Sequence, residues 1–165
     1  MSASPPFTGA IEGAVVIAAP AARIVPAFFE HEALVAWWHV RRSVVTPKVL
    51  GAFAVEWEPT DWRDDVLGRL GGAMHGTIME FRAEREIFVA EVHYLPPDGE
   101  AIGPMAITIT FTPHAGGTMV RVRQSGYEEG ARWRRYYEVM HTGWQRALET
   151  LKDYVENQWL YRLKK

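Results

Sequence analysis

Apolar and polar positions alternate through the middle of this chain, the pattern of strands with one buried face. The stretch "AFAVEWE" (52–58) sets Phe53, Val55 and Trp57 on one side and Ala54, Glu56 and Glu58 on the other. In "MAITITFTP" (105–113), Ile107, Ile109 and Phe111 oppose Thr108, Thr110 and Thr112. A Gly-Gly turn leads into "GGTMVRVRQSGY" (116–127), where Val120 and Val122 mark the inner face and Arg121 and Arg123 the outer one. The same period puts Gln124 on the side of the valines. "IEGAVVIAA" (11–19) is rich in β-branched residues and stops at Pro20, which predicts a first strand. "RSVVTP" (42–47) is a short strand, and "MHGTIMEFRA" (74–83) with "EIFVAEVHYL" (86–95) forms a hairpin pair. In the second of these, Phe88, Ala90, Val92 and Tyr94 make the more apolar face, so Tyr94 points inward and His93 outward. Residues 59–73, with Pro59 and Gly68, Gly71 and Gly72, read as a loop.

Helical spacing occupies the two ends of this strand run. "AARIVPAFF" and "EALVAWW" (21–38) are two short helices, because Pro26 interrupts a single long one. From about Ala131 to Leu160, Trp133, Tyr137, Met140, Trp144, Ala147, Leu148, Leu151 and Val155 recur at three- and four-residue steps, the stripe of one long amphipathic helix. Such a stripe requires a large apolar partner, and the sheet is the one of matching size. The predicted class is α+β: a curved antiparallel sheet of about seven strands wrapped around a long C-terminal helix. One domain spans 11–160, with a flexible leader at 1–10 and a tail at 161–165.

Composition and charge narrow the function. A formal charge of −2 gives no global attraction to nucleic acid or anionic membrane. The basic run "RWRRYY" (132–137) scatters around a helix instead of forming a patch. Without cysteine, disulfides, thiolate metal sites and thiol catalysis are excluded. The longest apolar stretch, "GAVVIAAPAA" (13–22), is too short to span a bilayer, and the N-terminus lacks a basic signal-peptide region. The expected location is the cytoplasm. His31, His39, His75, His93, His114 and His141 show no ligand spacing, so no metal is expected. "GRLGGAMHG" (68–76) has neither a phosphate-loop nor a dinucleotide fingerprint, and no cofactor is expected.

Four segments in order resemble a known family. They are "VVIAAPAARIVPAFFEHEALVAWW", ending in Trp37 and Trp38; "HGTIMEF" (75–81); "GGTMVRVRQSGY"; and "GW" at Gly143 and Trp144, followed by "LETLKDYVE". The chain resembles the activator of heat-shock-protein-90 ATPase homologue family, within the START/SRPBCC superfamily. That resemblance implies the helix-grip fold: seven antiparallel strands around the last helix, with a pocket between them. The superfamily uses the pocket for lipids, sterols, polyketides and other apolar or aromatic molecules, and some members are cyclases or dehydratases. Many family members carry His where Gln124 stands. The eukaryotic co-chaperone has a further N-terminal domain, so the resemblance does not itself imply a chaperone partner.

A strongly bent sheet leaves a gap beside its helix unless large side chains fill it, and mostly apolar gaps with few polar groups are the usual small-molecule sites. Trp57, Tyr94, Phe111, Gln124, Met140 and Trp144 are the candidate lining residues. Gln124 either bonds backbone or solvent at its strand's end or orients a polar atom of the guest. No catalytic residue is assigned: Glu80 and Glu91 are the carboxylates an acid–base enzyme would use, and both are expected on the solvent side. His141 sits at the edge of the helical stripe. Gly143 marks either a close approach of another element or space for a ligand, the former slightly favoured. The leading expectation is binding of a small apolar or aromatic molecule. A cyclase- or dehydratase-type enzyme and a co-chaperone-like interaction module, with or without homodimerisation, are the alternatives.

Overall fold

The computed structural model describes residues 10–126 and 130–158, so most of the expected leader, the tail, Tyr127 and the last residues of the predicted helix lie outside the described residues. Strand β1 (Ala10–Ile17) leads into α1 (Ala21–Ile24), a single 3-10 turn (Val25–Phe28) and α2 (His31–Trp38). Pro26 falls inside that turn, where its missing N–H costs little. The Trp37 indole N–H donates to the Ala27 carbonyl at 2.8 Å, tying α2 back onto the turn. α2 ends at His39, whose left-handed φ of 57° redirects the chain into β2 (Val40–Val45).

The remaining strands are β3 (Ala52–Trp57), the two-residue β4 (Arg63–Asp64) and β5 (Gly68–Arg69), β6 (Ala73–Arg82), β7 (Glu86–Leu95), β8 (Ile102–His114) and β9 (Gly117–Ser125). Seven of them form one antiparallel sheet in the order β1-β9-β8-β7-β6-β3-β2. β4 and β5 pair separately as a small ribbon within the stretch expected to be a loop. Strands of two residues carry no period, so the sequence offers no alternation to read there.

α3 (Ala131–Glu156) crosses the inner face of the sheet. Ile11, Ile107, Ile109, Val120, Val122, Leu148 and Leu151 are all sealed between the layers. Burial of side chains this size stabilises by about 1.5–3 kcal/mol each. On the β1 side the approach depends on Gly13. A Cβ there would lie 3.1 Å from Leu148 Cδ1 and 3.8 Å from Trp144 Cβ, so a side chain would press on the helix and require Leu148 to give way.

Two predicted faces need correction. In β7, Ile87, Val89, Val92 and Tyr94 are buried, while Phe88 and Ala90 are not. The register shifts between Val89 and Val92, and Glu91 adopts a φ of 54°. This bulge switches the parity of the strand, so the expected inner face of Phe88, Ala90, Val92 and Tyr94 holds only in its second half. On α3 it is Tyr136, not the expected Tyr137, that is fully buried. Near its start the helix turns an adjacent face to the sheet, where Tyr136 meets Tyr94 at a ring-centroid distance of 5.2 Å.

Candidate functional site

α3 leans toward β1, and its opposite flank leaves a cavity of about 610 Å³. Trp37 and Trp38 of α2, Trp57 of β3 and Tyr94 of β7 form one wall. Leu70 and Gly71, just beyond the β4–β5 ribbon, add to that wall. Val139, Met140, Gly143, Trp144, Ala147 and Thr150 of α3 form the other. His39, Glu58 and Arg146 stand at the rim and are exposed. The indole rings set the shape. Trp37 and Trp38 stack with planes 2° apart and centroids 5.1 Å apart. Trp38 meets Trp57 nearly edge-on at 81° and Trp144 at 35°, with centroids 5.3 Å and 5.1 Å away.

Four of the six sequence-predicted residues, Trp57, Tyr94, Met140 and Trp144, line this cavity. Phe111 does not: it packs edge-on against Phe28 at 5.6 Å, deeper in the core under the 3-10 turn. Gln124 does not reach the cavity either, yet it is neither at a wet strand end nor idle. It has no exposed surface. Its Oε1 accepts the Trp144 indole N–H at 2.8 Å, and its Nε2 donates to the Tyr136 hydroxyl at 3.0 Å and to Met105 Sδ at 3.2 Å. The amide therefore fixes the orientation of a cavity wall from behind. A dry, unpaired amide would cost about 1–3 kcal/mol, which these partners remove.

The polar groups inside are mostly committed. The Tyr94 hydroxyl donates to the Gly71 carbonyl at 2.5 Å, and Thr60 Oγ1 donates to the Leu70 carbonyl at 3.1 Å. Burial pushes the Tyr94 phenol up to about 12 and also raises Tyr136, so both are neutral at ordinary pH. The indole N–H groups of Trp38 and Trp57 have no hydrogen-bond acceptor among the described residues, and both nitrogens keep accessible surface. Trp38 does so although only 9% of the residue is exposed.

The ribbon beside the cavity is held to α3. Asp64, whose side chain is only 6% exposed, accepts from Arg135 at 2.6 Å and from the backbone N–H groups of Val66 and Leu67 at 3.0 Å. Burial alone would raise this carboxyl. The Leu67 N–H, the Arg135 guanidinium and the Val66 N–H outweigh it and hold the group below the usual carboxylate range. Sequence reasoning missed Thr60, Leu70 and Gly71 because they sit in aperiodic chain. It missed Val139 and Thr150 because they flank the apolar stripe. Glu80 pairs with Arg82 and Glu91 is exposed, so neither enters the cavity. His141 is exposed and stacks on Tyr137. Among the described residues no group of His, Asp and Glu is arranged to hold a metal ion, and no helix is long and apolar enough to cross a membrane.

A seven-stranded antiparallel sheet gripping one long C-terminal helix, with short helices after the first strand, is the helix-grip fold. Within that class, the chain belongs to the family described as activator of Hsp90 ATPase homolog 1-like protein, whose model matches residues 18–156. Solved structures agree on the fold. A Mesorhizobium loti protein is 20% identical, with 89% of this chain and 96% of that chain covered and a TM-score of 0.69. A Rhodobacter sphaeroides protein is 18% identical over 93% and 96%, with a TM-score of 0.70. The Aha1 dimer of Colwellia psychrerythraea, solved in solution, is 16% identical over 90% and 96%, with a TM-score of 0.62. No curated protein matches.

Proposed function

We propose that this protein holds a small apolar or aromatic molecule in the cavity between its sheet and α3. The observation that carries the reading is the wall of Trp38, Trp57, Tyr94 and Trp144 around about 610 Å³, with Trp144 locked from behind by Gln124. That volume and the scarcity of uncommitted polar groups suit a small organic guest. The reading requires no cofactor and no chaperone partner. Native mass spectrometry of freshly purified protein tests it. A guest of defined mass, released on denaturation, is expected. Bare polypeptide, together with no change in tryptophan fluorescence on adding apolar aromatic probes, defeats it.

An acid–base reaction in the same cavity is the second reading, because His39 and Glu58 at the rim and Tyr94 inside are ionisable. With its phenol pushed up to about 12, Tyr94 is suited to donating a hydrogen bond and not to acting as a base. A guest recovered unchanged after prolonged incubation with the protein supports binding alone.

A further inference from the structure

Gly143 lies in the interior of a 26-residue helix, where glycine costs about 1 kcal/mol relative to alanine. Close approach of another element is the usual reason, and it was the favoured expectation from sequence. The structure removes it: a Cβ built on Gly143 meets no heavy atom within 4 Å. The contrast with Gly13 is direct, since a Cβ there would press on Leu148 Cδ1 at 3.1 Å where α3 lies against β1. Gly143 instead opens onto the cavity, between Met140 and Ala147 and on the same flank as Thr150. At Gly143, which is exposed, the helix offers bare backbone to the space that Trp38 and Trp57 face from the other side. The indole N–H groups of Trp38 and Trp57, residues of that wall, have no acceptor among the described residues and are open to one on a guest.

We infer that Gly143 is the specificity-determining position of this cavity. Its missing side chain admits a flat, rigid aromatic molecule that lies against the helix backbone. A carbonyl-class acceptor on that molecule takes an indole N–H from Trp38 or Trp57. This rests on the binding reading above and narrows it to planar aromatics carrying an acceptor. The carbonyl-bearing tricycle 9-fluorenone and its carbonyl-free counterpart fluorene form a matched pair of probes, read by quenching of tryptophan fluorescence.

With the full chain, fluorenone is expected to bind at least threefold more tightly than fluorene. Gly143→Leu should weaken both by tenfold or more without lowering the melting temperature, since its side chain enters empty space. Gly143→Ala, a substitution the helix favours, should raise the melting temperature by a few degrees and weaken fluorenone by a smaller factor. It serves as the test if the leucine variant does not fold. Equal fluorenone affinity in the parent and both variants overturns the role of Gly143 while leaving the cavity reading standing. Equal affinity for fluorenone and fluorene overturns the acceptor requirement. If neither probe binds the parent protein, the cavity reading and this inference fall together.

Discussion

Gln124 shows what one side chain contributes when its whole inventory is spent. Its amide joins β9 to α3 through Trp144 and Tyr136 and to β8 through Met105. Gln124→Leu strips the acceptor from the Trp144 N–H and should cost about 1–3 kcal/mol, measurable by urea denaturation. The inward position of Gln124 was legible from strict alternation with Val120 and Val122. Its two helical partners were not, because they sit 12 and 20 residues further along, on a helix whose rotation the sequence does not specify closely. The one-residue error between Tyr136 and Tyr137 has the same origin. Both buried phenols should resist ionisation. A raised folded value means the stabilisation is complete below the ordinary tyrosine pKa near 10 and is lost as pH rises through the higher folded value. For Tyr94 the loss falls between about pH 10 and 12. Absorbance titration at about pH 10–11 should therefore find these two phenols still protonated, with Tyr94→Phe and Tyr136→Phe removing only late-titrating signal.

Among the elements, long strands and the terminal helix were readable because each repeats its period several times. The β4–β5 ribbon was not, and it is the element most dependent on charge. Its attachment to α3 runs through Asp64 and Arg135. Because the folded carboxyl titrates below its ordinary value, this stabilisation is present above about pH 4 and is lost as pH falls through the folded value. Asp64→Asn should flatten the pH dependence in that acid window and lower stability at neutral pH by about 1–2 kcal/mol. Hydrogen exchange should quicken at the amides of residues 63–69 while β8 and β9 keep their protection. Equal exchange in parent and variant would show that the ribbon is held by something other than this pair.

For the molecule as a whole, the off-centre seat of α3 decides whether there is a cavity at all. Gly13 draws the helix to one side of the sheet, and the side vacated is the one lined with indoles. Because the guest would bind the folded state alone, a probe at about 100 times its Kd should raise the unfolding free energy by about 2.7 kcal/mol. That corresponds to roughly 5–10 °C in Tm for a chain of this size, checked by scanning calorimetry. A probe that leaves Tm unchanged at saturation is not in the cavity. Fold class was legible in the chain because strand alternation and the helical stripe agree on one inner surface. The cavity's outline was only half legible, since Phe111 and Trp57 share the same pattern and only packing separates them.

The kink at Glu91 gives β7 one residue more than its pleat requires. Excising that one residue would leave Ile87, Val89, Val92 and Tyr94 in unbroken alternation, all still facing inward, with the Tyr94 phenol kept in the wall. A single codon lost from this strand would then straighten it while leaving the lining of the chamber as it was.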